Sequence, residues 1–200
     1  MKRLDLPRLE HPSFIGCWDL EDPGLCEEII NFFEKNPSLN HVGRTNTKLD
    51  QIDKKTTDLT ISPLDLEESK YAVLNKYMER LFECYTDYLA QWPFLGTIIP
   101  EVNIGRFNIQ KYDPGGHFNK LHTERASLVD LHRVLVFMTY LNDVEDGGMT
   151  TFKHFDLGVK PEAGKTLIWP AEWTHAHVGE VVNSGSKYIV TGWMEFPFNE

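Results

Sequence analysis

The chain has 200 residues, of which 41% are apolar and 25% are charged, and its formal net charge is −10. This length suits one domain of ordinary size, and this composition favours a folded core over disorder. The acidic balance argues against a nucleic-acid partner, because phosphates are bound by Lys and Arg, and it argues equally against an anionic membrane surface. Nothing in the composition predicts the oligomeric state.

The cysteines predict a reducing environment. Cys17, Cys26 and Cys84 are widely spaced and include no CxxC pair. They indicate neither a disulfide framework nor a zinc knuckle, so we expect an intracellular, cytoplasmic protein. The N-terminus lacks the apolar stretch of a secretory signal, and no apolar run approaches the ~18–20 residues that a membrane span requires.

The first predicted helix follows an irregular arm at residues 1–14. Asp22 can cap this helix and Pro23 suits its first position, while Asn36-Pro37 ends it. Residues 38–62 are polar and show no sustained periodicity, so they are either a solvated connector or, over 40–62, a lid on a binding site.

The second predicted helix lies within residues 65–93 and ends at Pro93. Its apolar residues recur at helical spacing, which predicts one stripe packed on a flat surface. The stripe consists of Tyr71, Leu74, Met78, Leu81, Tyr85 and Tyr88.

From about residue 100 the pattern changes to short runs rich in β-branched and aromatic residues, separated by Gly, Pro and Asp turns. The runs are EVNIGRFNIQKY, RVLVFMTYLND, GKTLIWP, WTHAHVGEV and KYIVTGWMEF. No long helical pattern separates them, which favours an antiparallel sandwich or barrel over parallel βαβ winding. We therefore expect residues 1–99 to supply an arm, helices and a lid loop that support a β core formed by residues 100–200.

The stretch HFNKLHTERASL contains a candidate pair of metal ligands, His122 and Glu124. Residues two apart on an extended strand share a face, and by the same argument His175 and His177 share one. Two histidines and a carboxylate form the facial triad that leaves positions open on Fe(II), so either downstream histidine is a candidate third ligand. An HxE pair alone is weak evidence, because most such pairs bind nothing.

A dicarboxylate that chelated such a metal would need a cation for its far carboxylate. Lys187 is the one basic residue after His177, and it lies ten residues further on, across a Gly-containing turn. A polar strand face in NIGRFNIQKY is a second sign of a polar ligand, although such a face can also point to solvent. That face carries Arg106, Asn108, Gln110 and Tyr112, opposite Phe107 and Ile109.

Four motifs in chain order make residues 100 to 196 resemble the catalytic domain of the Fe(II)/2-oxoglutarate dioxygenases, in the prolyl 4-hydroxylase-like branch. The motifs are NIQKYDPGGHFNKLHTE, RVLVFMTYLNDVEDGGMTTF, LGVKPEAGKTLIWP and HVGEVVNSGSKYIVTGW. No single motif is specific, but the four in this order are. The resemblance implies a double-stranded β-helix, a jelly-roll or cupin-like barrel, with N-terminal helices packed on one side.

The resemblance also implies roles for individual residues. His122, Glu124 and His177 would hold Fe(II), and Lys187 would bind the distal carboxylate of 2-oxoglutarate. The family's usual motif is HxD, so the glutamate departs from it by one methylene, roughly 1.5 Å of reach. Further residues carry lesser roles: Tyr112 and Tyr140 as partners of the same carboxylate, His175, Arg106 and Trp193 beside the metal or substrate, and Arg133 as a structural residue.

The implied reaction is hydroxylation of a C–H bond by O2 and 2-oxoglutarate, with release of succinate and CO2 and with ascorbate as a further cofactor. A peptidyl proline is the first expected substrate, and a free amino acid is the alternative of the same chemistry. A catalytically silent jelly-roll binding module is the alternative from another class, against which Lys187 and Tyr112 argue. A zinc hydrolase is a third alternative. It would not explain Lys187 at its spacing from His177, and the sequence contains no HExxH motif.

Overall fold

The computed structural model of the protein describes residues 1–5, 12–44 and 52–197. Within these ranges two antiparallel sheets face each other, and helices cover the outer face of the larger sheet. The elements are β1 (Lys2–Arg3), β2 (Gly16–Asp19), α1 (Pro23–Lys35), β3 (Asn40–Val42), β4 (Lys54–Lys55), β5 (Thr57–Ile61), α2 (Ala72–Gln91), α3 (Pro93–Ile98), β6 (Asn103–Ile104), β7 (Phe107–Tyr112), β8 (His117–His122), β9 (Arg133–Tyr140), β10 (Thr150–Phe152), β11 (Leu157–Val159), β12 (Lys165–Pro170), β13 (His177–Gly179) and β14 (Lys187–Glu195).

The two sheets confirm the expected double-stranded β-helix. The large sheet has the order β1-β2-β12-β9-β14-β7-β5-β3, with β6 paired to β14, and the small sheet has the order β11-β10-β13-β8-β4. From β7 onward the chain crosses repeatedly between the sheets, as from β7 to β8, from β9 to β10, from β11 to β12 and from β13 to β14. This winding brings residues from distant parts of the chain into the space between the sheets.

Alternation along the large sheet creates two cores. On β9, Leu135 and Phe137 pack toward the helices, whereas Val136, Met138 and Tyr140 point toward the small sheet. The same rule sorts the other strands of the large sheet, because successive side chains of a strand face opposite ways. The inner face of this sheet therefore forms one wall of the interior in which the candidate site lies.

Both predicted helices are present. The Asp22 side chain accepts a hydrogen bond from the Leu25 amide at the start of α1, and Pro93 ends α2 by starting α3. The buried stripe of α2 includes Tyr77, whereas Met78 is half-buried. Tyr77 turns inward because its hydroxyl hydrogen-bonds to Thr139 on the large sheet, at 2.9 Å.

The prediction of a solvated connector at 38–62 is wrong for the described part of that segment. β3 and β5 extend the large sheet, and β4 joins the small sheet. Leu59 and Ile61 are fully buried, and Asp58 is buried as well. Residues 1–99 therefore contribute strands as well as helices, and the lid prediction for 45–51 lies outside the described residues.

The cysteines and the helices of the described ranges supply two further observations. All three cysteines are buried and unpaired, so no disulfide staples the fold. Among the helices of the described ranges, none combines the length and the apolar character that a membrane crossing requires.

Candidate metal centre and co-substrate pocket

The structure brings His122, Glu124 and His177 together. His122 ends β8, Glu124 follows it, and His177 starts β13, directly opposite His122 in the antiparallel pair. The Glu124 Oε1 atom lies 3.4 Å from the Nε2 atom of His122 and 3.6 Å from that of His177. One ligand atom from each residue lies within 4.8 Å of the others, which is the arrangement of a facial triad.

Backbone carbonyls set the tautomer of both histidines. The Nδ1 atom of His122 lies 2.8 Å from the carbonyl oxygen of Lys120, and that of His177 lies 3.0 Å from the carbonyl oxygen of His175. A carbonyl only accepts, so each Nδ1 donates its hydrogen and each Nε2 keeps a free lone pair. Metal-binding histidines are oriented in this way.

Aromatic neighbours restrict the two imidazole rings further. The His122 ring stacks on Phe118, with centroids 3.7 Å apart, and the His177 ring packs against Trp169 and Phe152, at 5.2 and 5.6 Å. These contacts hold both Nε2 atoms toward Glu124 and limit the access of water from the interior side.

The electrostatics of the triad suit a cation. Burial, together with the neighbouring His122, lowers the pKa of His177 to about 4, so this imidazole is neutral at pH 7. Burial alone would raise the pKa of Glu124, but the hydrogen bond to His122, the charges of both histidines and the Trp193 indole outweigh it and lower the pKa to about 2. The ligand set at neutral pH is therefore one carboxylate and neutral imidazole from His177, as divalent iron requires.

Trp193 and Arg133 hold Glu124 from behind. The Trp193 indole N–H donates to Oε2 of Glu124 at 3.0 Å, so the other oxygen, Oε1, faces the histidines. Arg133 stacks on the Trp193 ring at 3.7 Å and donates to the Glu124 carbonyl oxygen at 2.7 Å. Arg133 is thus a structural residue for the metal centre. It holds the backbone of Glu124, and it holds the Trp193 indole that orients the Glu124 side chain.

His175 does not share the strand face of His177, so the alternation argument is wrong at this point. Residues Trp173–His175 form a 3-10 turn, and β13 begins only at His177. The buried His175 ring turns toward the N-terminal segment, where Nε2 meets the Ser13 carbonyl oxygen at 2.7 Å. His175 contributes to the metal centre through its carbonyl alone.

Lys187 is a buried cation in the interior between the sheets. It is 2% exposed, and its Nζ donates to the Gly148 carbonyl oxygen at 2.9 Å and lies 4.2 Å above the centre of the Tyr112 ring. Gly147 and Gly148 have positive φ angles of 80° and 70°, a turn that suits glycine and presents this carbonyl. In the described ranges no carboxylate lies at ion-pair distance from Lys187, and burial lowers its pKa to about 7.

Tyr112 and Tyr140 both lie on the inner face, but their hydroxyls are already engaged. The Tyr112 hydroxyl donates to Oε1 of Gln110 at 2.8 Å, and the Tyr140 hydroxyl donates to Thr150 at 2.7 Å. Burial raises the pKa of each phenol, so both are neutral donors. Their contact with a co-substrate stays a prediction.

Arg106 directly precedes β7. It is exposed, and the amide of the preceding residue, Gly105, donates to the Trp193 carbonyl at 3.1 Å. A role for Arg106 beside the metal or the substrate stays a prediction.

Sequence reasoning missed a buried polar group on β4 and β5. Lys54 and Asp58 form an ion pair at 2.8 Å, and the Asp58 carboxylate also accepts from Thr56 at 2.6 Å and from Gln110 at 3.1 Å. The sequence predicts a polar face that includes Gln110, but Lys54, Thr56 and Asp58 fall in the segment predicted to be a connector or a lid. The one available signal was Lys-x-x-x-Asp beside a β-branched run, which is too common to be informative.

Comparison with known proteins agrees with this geometry. Residues 107–195 match the model of the 2OG-Fe(II) oxygenase superfamily. Over these residues the chain is similar to the 2OG-Fe(II) oxygenases, and its curated relatives are prolyl 4-hydroxylases. Among its relatives is the probable prolyl 4-hydroxylase 9 of Arabidopsis thaliana, which is 25% identical over 134 residues, or 54% of this chain and 46% of that protein.

Solved structures share the fold. A viral collagen prolyl hydroxylase from Paramecium bursaria Chlorella virus-1, in a 2OG complex, superposes with a TM-score of 0.68 at 18% identity, over 92% of this chain and 97% of the other. A prolyl hydroxylase from Trichoplax adhaerens, bound to a peptide fragment of a hypoxia inducible factor, gives a TM-score of 0.70 at 12% identity, over 92% and 84%. The chain spans less than half the length of the curated relatives it matches.

The residues present fit Fe(II) and 2-oxoglutarate. For the metal, the fit rests on two imidazole nitrogens and one carboxylate oxygen that converge with free lone pairs. For the co-substrate, it rests on a buried ammonium group whose neighbours in the described structure are a carbonyl and an aromatic ring rather than an acid. A buried cation of this kind is costly unless a ligand compensates it.

Proposed function

We propose that this protein is an Fe(II)- and 2-oxoglutarate-dependent dioxygenase that hydroxylates a C–H bond, with a peptidyl proline as substrate. The observation that carries the proposal is the pairing of two features in one interior, the converging triad and the buried Lys187. A metal-binding module without co-substrate chemistry would account for the first feature and leave the second, a costly buried cation, without a purpose.

The chain's own residues would divide the work. His122, Glu124 and His177 would hold the metal, and Lys187 would bind the far carboxylate of 2-oxoglutarate. Bound Fe(II) would supply the activation of O2, while 2-oxoglutarate is oxidised to succinate and CO2. Trp169, with Phe152, would keep water from the inner side of His177.

The accessibility of the site supports a peptide substrate. His177 and Lys187 are buried, whereas His122, Glu124 and Trp193 are partly exposed, so a substrate would reach the triad from the Trp193 side. The loop after Glu124 carries apolar side chains that stand free of the core, since Leu128 and Val129 are 86% and 79% exposed. Exposed apolar groups beside a catalytic entrance favour a macromolecular partner over a free amino acid.

Anaerobic titration with Fe(II) and 2-oxoglutarate tests the chemistry. The wild-type protein should develop the weak visible charge-transfer band of the chelate, and His122→Ala should not. A wild-type protein that shows no band at saturating co-substrate would contradict the proposal.

Substrate class is tested separately, by mass spectrometry of proline-containing peptides and of free proline after aerobic turnover. A gain of one oxygen on a peptidyl proline is expected. Hydroxylation of free proline alone would replace the peptide substrate by the free amino acid and leave the reaction class intact.

A further inference from the structure

A chain of buried hydrogen bonds runs from Lys54 to the Tyr112 ring beneath Lys187. Lys54 pairs with Asp58, Asp58 accepts from the Gln110 amide, and Gln110 accepts from the Tyr112 hydroxyl. These four side chains are each 5% exposed or less. The chain connects β4, β5 and β7, so it links both sheets at the co-substrate end of the interior.

The direction of every bond in this chain is determined by Asp58. A carboxylate only accepts hydrogen bonds, so the Gln110 side chain must present its NH2 group to Asp58. Its carbonyl oxygen, Oε1, then faces Tyr112 and can only accept. The Tyr112 hydroxyl consequently donates its single hydrogen to Gln110.

A carboxylate ligand cannot share this hydrogen. The Tyr112 oxygen presents only lone pairs to any other group, and a carboxylate offers no hydrogen to them. If the hydroxyl turned toward a ligand, the buried Gln110 oxygen would lose its partner, which is unfavourable. The Tyr112 ring, in contrast, already supports Lys187, because a cation above an aromatic face is stabilised.

We propose that Tyr112 serves the co-substrate pocket as an aromatic support for Lys187, and that Asp58, acting through Gln110, withholds its hydroxyl from 2-oxoglutarate. Asp58 and Gln110 are then positioning residues, and Lys187 makes the charge-assisted bond to the far carboxylate. This inference rests on the proposed function, and it differs from the hydroxyl contact that the resemblance implies for Tyr112.

Two substitutions at Tyr112 separate the ring from the hydroxyl. The measured quantity is the Kd of 2-oxoglutarate for the Fe(II)-loaded protein without O2, followed by the visible band. Tyr112→Phe keeps the ring and should leave this Kd within about threefold of wild type, whereas Tyr112→Leu removes the ring and should raise it by roughly tenfold or more. Fe(II) affinity and the thermal midpoint, measured on the same samples, show whether each variant is folded.

Gln110→Met tests whether Gln110 keeps the Tyr112 hydroxyl from 2-oxoglutarate. The substitution frees the Tyr112 hydroxyl to donate to the ligand, so 2-oxoglutarate should bind about three- to tenfold more tightly. In the double variant Gln110→Met with Tyr112→Phe, the gain should disappear, because no hydroxyl remains.

Each outcome bears on the inference. A Kd raised by about tenfold or more in a folded Tyr112→Phe protein would overturn it, since the hydroxyl would then bind the ligand. The inference would also be overturned if Gln110→Met changed the Kd of 2-oxoglutarate equally in the wild-type and the Tyr112→Phe protein. If the wild-type protein binds no 2-oxoglutarate at all, the proposed function fails instead.

Discussion

The two ends of the interior between the sheets are built in different ways. At the metal end the two histidines lie on neighbouring strands of the small sheet and Glu124 follows one of these strands, and each histidine ring is tethered to a carbonyl two residues earlier. At the co-substrate end Lys187 and Tyr112 come from the large sheet and depend on side chains from β4 and β5. The two histidine rings are held by local contacts, whereas Glu124 and the co-substrate end depend on contacts that are distant in sequence.

The orientation of the metal-binding histidines and the affinity for the co-substrate therefore depend on different contacts. The hydrogen bonds to nearby carbonyls orient the His122 and His177 rings and do not depend on side chains elsewhere in the interior. Lys187, in contrast, owes both its burial and its lowered pKa to groups packed around it from several elements. Metal binding should therefore respond to substitutions in a few nearby residues, and co-substrate binding to substitutions over a wider region.

The largest effect is expected from a pair of histidine substitutions. His177→Ala should abolish Fe(II) binding, because it removes a ligand. His175→Ala should change the Kd for Fe(II) by less than about threefold, because the carbonyl that accepts from His177 remains. Anaerobic Fe(II) titration measures both values, and a loss of binding in His175→Ala would restore that residue as a candidate ligand.

Lys187→Met should impair the binding of 2-oxoglutarate without impairing the binding of Fe(II). We expect the Kd for 2-oxoglutarate to rise by roughly a hundredfold, because the charge-assisted bond is lost, while Fe(II) affinity is kept. Burial lowers the pKa of Lys187 below its value in the unfolded chain, so the unfolded chain binds more protons and stability rises with pH above about 7.

The same substitution should therefore stabilise the protein at pH 7, by about 1–4 kcal/mol in denaturant unfolding. A variant that is destabilised, yet binds 2-oxoglutarate normally, would show that Lys187 is a core residue rather than an anchor.

The same division explains what the sequence could predict. Strand alternation indicates the pair His122 and Glu124 and leaves His175 and His177 as alternatives for the third ligand, and chain order indicates Lys187. The choice of His177 over His175 came from the family resemblance. The inner face of β7 was also visible as a polar row that includes Gln110 and Tyr112.

Contacts between distant segments could not be predicted. Nothing in KKTTDLTIS shows that Lys54 and Asp58 pair in the interior, since the same letters suit a solvated connector. The prediction that His175 and His177 share a strand face was wrong for a related reason. A 3-10 turn ends just before His177 and breaks the strand alternation on which that prediction depends. The Trp193 indole bond to Glu124 likewise joins two motifs that are 69 residues apart.

The pH dependence of co-substrate binding tests the lowered pKa of Lys187 directly. Below about pH 7 the ammonium form prevails and the Kd for 2-oxoglutarate should be constant. Above it, binding requires the uptake of a proton, so the Kd should rise about tenfold per pH unit. His177, with its pKa lowered to about 4, is neutral throughout this range. Titrations of the Fe(II)-loaded protein between pH 6 and 9 measure the slope, and a flat profile would contradict the assignment.

The smallest expected effect concerns Trp193, through which the large sheet reaches the metal end. Trp193→Phe keeps a ring for Arg133 to stack on but removes the hydrogen bond to Oε2 of Glu124, so the Kd for Fe(II) should rise by about tenfold. The longer glutamate makes this contact meaningful, because Glu124→Asp withdraws the carboxylate by roughly 1.5 Å.

In the Glu124→Asp background Trp193→Phe should therefore change Fe(II) affinity much less. Such coupling would show that the glutamate closes the triad because the indole holds its second oxygen. Equal losses in both backgrounds would mean that Trp193 supports the metal end only by packing, which would leave that end wholly dependent on its local tethers.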